Sequence, residues 1–247
     1  MKVEIGVVTE TWLADGHGLD DDVDDLLLGA GLGMLYRNRE ANSRGVAHGG
    51  VAIFYKESSM SMKAVKLHNP GKYEVVMGVA TVKGYSRKLV VVACYLPPNY
   101  TFTRARKAMD FIAGCVTRAK RQYDDPFLVV TGDFNQWKVE EVLADFADMD
   151  ESDVGPTRSG RCIDRVFTNF SAAVDKCGTV PPLETDDQTS KKSDHAIAYV
   201  RADLPRVAEV KWLDYEYRYF NEDSSKLFGG WLACQDWNDL RLSLIHI

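Results

Sequence analysis

Apolar residues gather in seven short runs: Val3 to Thr9, Val51 to Tyr55, Tyr73 to Val82, Leu89 to Tyr95, Phe127 to Thr131, Cys162 to Thr168 and Ala196 to Arg201. Each is rich in β-branched residues and bounded by Gly, Pro, Asn or Asp, which predicts strands. Those apolar almost throughout predict strands covered on both faces. A different period holds from Thr103 to Tyr123, where Ala105, Ala108, Met109, Ile112, Val116 and Ala119 share one helical face and Thr103 is available as N-cap. A second helical pattern, Val139 to Met149, carries Val142, Leu143 and Phe146 on one face. Strands alternating with helices, together with paired strands from Val51 to Tyr95, predict a mixed-sheet α/β fold. After Leu204 the alternation gives way to the aromatic-rich WLDYEYRYF, so the expected domain is 1–204, with 205–247 as an extension.

At 247 residues and 45% hydrophobic content, the chain is long enough to bury a substantial core. No apolar run approaches the roughly 20 residues needed to cross a bilayer, and MKVEIGVVTETW lacks the basic start and apolar stretch of a secretory signal. The expectation is an intracellular protein, the nucleus included, with no membrane partner. The five cysteines, Cys94, Cys115, Cys162, Cys177 and Cys234, are scattered without a CxxC pair, against both a disulfide framework and a structural zinc site, and each is expected to be a buried apolar residue. A net charge of −6 lowers the expectation of tight nonspecific binding to a polyanion. Locally, however, Arg104, Arg106, Lys107, Arg118, Lys120 and Arg121 fall on one helical segment. The acidic run Asp20, Asp21, Asp22, Asp24 and Asp25 lacks the glycine and glutamate spacing of a calcium loop and reads as solvated.

Four places can carry chemistry. Glu10 ends the first strand, where a side chain can project into a cleft at the sheet edge; the competing reading is a solvated glutamate. In FLVVTGDFNQW a buried strand runs into Asp133 and Asn135, two apart and on one side if the chain stays extended; the competing reading is an ordinary turn, since Gly, Asp and Asn are turn formers. A carboxylate beside an amide suits metal-assisted phosphate chemistry, one activating water and the other holding the oxygen it attacks with. Ser193, Asp194 and His195 precede the strand AIAYVRA; Asp194 is a hard oxygen ligand suited to magnesium, and His195 can bond a phosphoryl oxygen, the competing reading being a capped turn. Adjacent extended residues point to opposite sides, so Asp194 is poorly placed to orient His195, and Asp164 is the natural candidate for that. Tyr95, at the end of VVVACYLPPN, either donates to a phosphate or fills the sheet edge.

The order TETW, GGVAIFY, YLPPN, GDFN, IDRVFTN and SDH resembles the endonuclease/exonuclease/phosphatase superfamily over about Glu4 to Asp203, and in wording is most similar to the apurinic-type endonuclease domain of non-LTR retrotransposons. The resemblance implies two packed mixed β-sheets flanked by helices in a four-layer α/β sandwich, with the site at one sheet edge. It also implies that Glu10 binds magnesium or manganese, that Asp133 activates the attacking water, and that Asn135 positions it. Tyr95 then donates to the phosphate, Asp194 completes the metal site, and Asp164 orients His195, which stabilises the transition state. Family members open with a further strand and helix ahead of the TETW strand, so this sequence is expected to lack both.

The expected activity is hydrolysis of DNA phosphodiesters by a retrotransposon-type nicking endonuclease, ahead of an absent reverse transcriptase, with no organic cofactor. Two alternatives stand beside it. One is a phosphatase or phosphodiesterase of the same superfamily acting on a small phosphoester, since substrate choice resides in loops. The other is a catalytically silent binding remnant.

Overall fold

The computed structural model describes residues 4–11, 27, 29–38, 49–181 and 194–205. The acidic run 20–25, Ser193, the tail beyond Pro205 and the side chains of Leu143 and Phe146 lie outside the described residues.

The strands in chain order are β1 (Ile5–Thr9), β2 (Leu32–Arg37), β3 (Val51–Lys56), β4 (Met60–Ala64), β5 (Glu74–Val82), β6 (Leu89–Tyr95), β7 (Phe127–Asp133), β8 (Asp150–Glu151), β9 (Asp164–Thr168), β10 (Val174–Val180) and β11 (Ile197–Ala202). The helices among the described residues that concern us are α1 (Phe102–Gln122) and α2 (Glu140–Ala147). All seven predicted strands form, with ends shifted by one or two residues.

Among the described residues the strands form three sheets: β1-β3-β2, the pair β10-β11, and a six-stranded sheet ordered β4-β5-β6-β7-β9-β8. The six-stranded sheet is mixed, because β6 and β7 run parallel while its other pairs are antiparallel. That parallel pair is joined by α1, a crossover too long for a hairpin. Its strands behave as the apolar runs predict, β6 being buried at every position.

One apolar cluster lies between this sheet and the helices, joining Val90, Val92, Leu128 and Val130 to Ala105, Ile112, Val116 and Val142. The other joins the opposite face, through Val76, Val91, Ala93 and Phe127, to Val51 and Ile53 of the three-stranded sheet. Two packed sheets with helices outside are the α/β sandwich that the motif order implies.

Four details differ from the sequence expectations. Helix α1 is capped by Thr101, whose side chain accepts from Arg104 N at 3.3 Å, so Thr103 sits in the first turn. The stretch from Val51 to Tyr95 is not one run of paired strands. Strand β3 joins β1 and β2, and after Glu57–Ser59 the chain passes into the meander β4-β5-β6. Of the cysteines, Cys94 and Cys115 are buried, whereas Cys162 and Cys177 are only half-buried. Strands β2, β4 and β10 carry Met, Lys, Asp or Gly in place of β-branched residues and escape the pattern.

Candidate active site

Cross-strand register assembles the site. Glu74 pairs with Tyr95, Tyr95 with Asp133, and Asp133 with Asp164, so one rung across four neighbouring strands carries four polar side chains. Residues on one rung share a face. Two residues inward the same parity carries Val76 and Ala93, which belong to the cluster between the sheets. The rung therefore sits at the edge of the inter-sheet core, facing the three-stranded sheet.

That sheet brings Glu10, the residue after β1, which holds a left-handed backbone with φ of 55°. The Tyr95 hydroxyl donates a short hydrogen bond to Glu10 Oε1. Burial pushes the Tyr95 phenol up, and the Glu10 carboxylate raises it further. Tyr95 is thus a neutral donor at any working pH.

Asp133 is 3% exposed. Burial pushes its carboxyl up to about 6. The Asn135 N–H on Oδ1, at 2.8 Å, works against that, and the neighbouring Asp164 and Glu10 charges add to it. Asn135 does not continue the strand: its φ is 49°, and the Asp133–Asn135 bond closes a turn. The turn reading of GDFN is thus correct for the backbone: it sets the Asn135 main-chain N–H on the Asp133 carboxylate, while the Asn135 side-chain amide bonds Leu96 O.

The turn is laced to the loop after β6 by three successive side chains. Asn135 Nδ2 donates to Leu96 O at 3.0 Å, Gln136 Nε2 to Pro98 O at 2.7 Å and Trp137 Nε1 to Pro97 O at 3.1 Å. Gly132 allows this close approach, since a Cβ there would lie 1.8 Å from the Cys94 carbonyl oxygen.

His195 Nδ1 lies 2.8 Å from Asp164 Oδ2. An ionised carboxylate only accepts, so Nδ1 carries the proton and Nε2 faces away from Asp164. Thr157, buried at 2%, holds this pair in place: its Oγ1 accepts from Ile163 N at 3.2 Å and Asp164 N at 3.1 Å, while its carbonyl accepts from Ala196 N at 2.7 Å. Asp194 turns elsewhere, pairing with Arg158 Nη2 at 2.6 Å, its other oxygen 3.8 Å from His195 Nε2.

The sequence thus names Glu10, Tyr95, Asp133, Asn135, Asp164 and His195, and the fold brings them to one end of the sandwich. Asp194 stands beside them, engaged by Arg158. Sequence reasoning missed Thr157 and Glu74. Nothing in the spacing of GPTRSGR marks the threonine, but Glu74 was detectable as the lone acid opening an otherwise apolar strand, EVVMGVATV.

Asp133, Asp164 and His195 present ligand atoms that lie within 4.8 Å of one another. With Asp164 already held by His195, the carboxylates left for a cation are Asp133 and Glu10. Asp133 is buried and Glu10 is exposed beside it, their like charges disfavour each other, and a hard divalent cation relieves that repulsion. The donor chemistry therefore fits magnesium or manganese.

A mixed-sheet sandwich with an acid, amide and histidine cluster at its open end defines a class of phosphoester hydrolases. Residues 2–195 match the Endonuclease/Exonuclease/phosphatase family, and the chain belongs to it. No curated protein sequence matches. Among solved structures, a 3′ phosphatase from Neisseria bound to a product DNA hairpin is 17% identical, with a TM-score of 0.56 over 81% of this chain and 89% of that one. The human Nocturnin catalytic domain with bound sulfate is 16% identical, with a TM-score of 0.53 over 73% and 77%. A mannosyl-6-phosphatase from Bacteroides thetaiotaomicron is 13% identical, with a TM-score of 0.54 over 81% and 85%. At such identities the likeness is one of fold. The chain is accordingly a hydrolase of phosphodiester or phosphoester bonds.

Proposed function

We propose that this chain is a magnesium-dependent DNA endonuclease, with residues 1–204 as its catalytic domain and a retrotransposon-type nicking activity. The observation that carries the hydrolytic reading is the rung itself, Tyr95, Asp133 and Asp164 side by side with Glu10 and His195 facing them. Glu10 and Asp133 would hold the cation, with Asp194 joining only on release from Arg158. When bound, the cation supplies charge neutralisation at the phosphate and at the leaving oxygen.

The chain's own residues do the rest. Asp133 takes the proton of the attacking water as its oxygen bonds phosphorus and the phosphorus–leaving-oxygen bond breaks. Asn135, fixed through Nδ2 to Leu96 O, turns its amide oxygen toward that water. Tyr95 moves its proton's hydrogen bond from Glu10 to a phosphate oxygen. With Nδ1–H given to Asp164, His195 turns Nε2 toward the charge that builds on the phosphoryl group.

DNA is favoured as substrate by the surface beside the site. The loop after β6 leads into α1, whose first residue, Phe102, is 76% exposed, and no acidic residue stands in the first turn. Arg104, Arg106 and Lys107 follow it, and an exposed ring beside cations suits a nucleobase and its phosphates. A small phosphoester is the second reading, favoured by the net charge of −6. Comparing plasmid nicking with phosphate release from inositol phosphates separates the two: the endonuclease reading requires the first at rates the second does not approach.

A further inference from the structure

One buried acid in the site is not used by this mechanism. Glu74 is 2% exposed and begins β5 on the same rung as Tyr95. Its Oε2 accepts the Gly50 N–H at 2.6 Å, which reaches across to the three-stranded sheet. The glycines at the far end of that bond leave no alternative. A Cβ at Gly49 would lie 2.3 Å from Glu74 Oε2, and one at Gly50 would lie 2.3 Å from Thr11 Oγ1. Both have positive φ, 109° and 94°.

Gly50 leads into β3, whose first residue, Val51, pairs with Thr9. Thr9 precedes Glu10, and Glu10 accepts from Tyr95, the cross-strand neighbour of Glu74. The connections close on themselves: Glu74 to Gly50, Val51 to Thr9, Glu10 to Tyr95, and back to Glu74. The circuit ties the opposing sheets at the end where the rung opens.

We propose that Glu74 is a positioning residue which, by holding Gly50 and hence the end of β1, sets the reach of the Glu10 carboxylate toward the site. It explains why the GGVAIFY glycines and the TETW acid belong together although Gly49 lies 39 positions after Glu10. The inference rests on the hydrolase reading of the same site, in which Glu10 is a metal ligand.

Length of the side chain is the variable to test. Glu74→Gln keeps an acceptor oxygen at the same reach, whereas Glu74→Asn keeps the amide but stops one methylene short of Gly50. Manganese affinity measured by calorimetry is expected to stay within about threefold of wild type for Glu74→Gln and to fall about tenfold or more for Glu74→Asn, the range in which supporting residues act on metal ligands. Amide hydrogen exchange at Glu10 and Gly50, followed without metal, should quicken only in Glu74→Asn. Equal manganese affinity and equal exchange in the two variants, both folded, would overturn the positioning role. Wild-type protein that binds no manganese would instead remove the hydrolase reading, and the inference with it, even where the exchange pattern is as expected. Should Glu74→Asn prove unstable, Glu74→Gln alone still decides, since a large loss of affinity there contradicts a role carried by reach.

Discussion

Asp133 is the residue on which the proposed chemistry turns, and its environment gives two opposed predictions. Burial holds its carboxyl near 6 against an ordinary value of 3.8. A carboxyl raised in the folded state contributes fully below pH 3.8, and that contribution is lost as pH rises through about 6. At about 1.4 kcal/mol for each pH unit of separation, the ionised form costs on the order of 3 kcal/mol in the metal-free protein. Asp133→Asn should therefore raise the metal-free Tm at pH 8 but leave it little changed at pH 4, as thermal unfolding at the two pH values will show. The same substitution should lower kcat by roughly 10²–10⁴, the usual contribution of a general base. The acid limb of kcat/KM that it removes should be centred near 6 and should move lower as cation concentration rises. Gly132 is the second sensitive position. With φ of 148° and the Cys94 carbonyl where its Cβ would be, Gly132→Ala forces β6 and β7 apart. A loss of roughly 3 kcal/mol or more in urea unfolding is expected, from overpacking and backbone strain together.

Among the elements, α1 offers the sharpest contrast between what the sequence shows and what only the fold decides. Most of its apolar face was legible, because Ala105, Ala108, Met109, Ile112, Val116 and Ala119 repeat at helical spacing and are all buried, while Ala113 and Cys115 are buried beside them. Its start was not, since Thr101 and Thr103 are both acceptable caps and only backbone geometry chooses between them. Thr101→Ala should cost about 1 kcal/mol and Thr103→Ala only a few tenths, a difference chemical denaturation will resolve. Strand pairing was less legible for a similar reason. The apolar runs mark β3 and β5 as strands but cannot say that they belong to different sheets. In the site, Asp133 and His195 were readable as residue types at strand ends, and Asp164 as the acid that a neighbouring strand had to supply. Glu74 was not read: the lone acid opening EVVMGVATV stands in the sequence, but its partner is a backbone N–H in the opposing sheet, which no residue pattern names.

At the scale of the molecule, the site is a seam between two sheets, held from one side by Tyr95 and Glu74 and from the other by Glu10 and Gly50. A cation that binds the folded chain alone should stabilise it, by about 2.7 kcal/mol at a concentration 100 times its Kd. The rise in Tm with magnesium should disappear in Glu10→Gln, where one of the two proposed ligands loses its charge. No helix among the described residues is long and apolar enough to cross a membrane. The most direct test of metal-dependent phosphodiester hydrolysis at this seam is nicking of supercoiled plasmid by the chain, with magnesium or EDTA, beside Asp133→Ala and His195→Ala. Conversion to open circles by the wild type with magnesium alone, abolished in both variants, is the predicted result. Nicking that survives in Asp133→Ala, or its absence from folded wild-type protein, would contradict it.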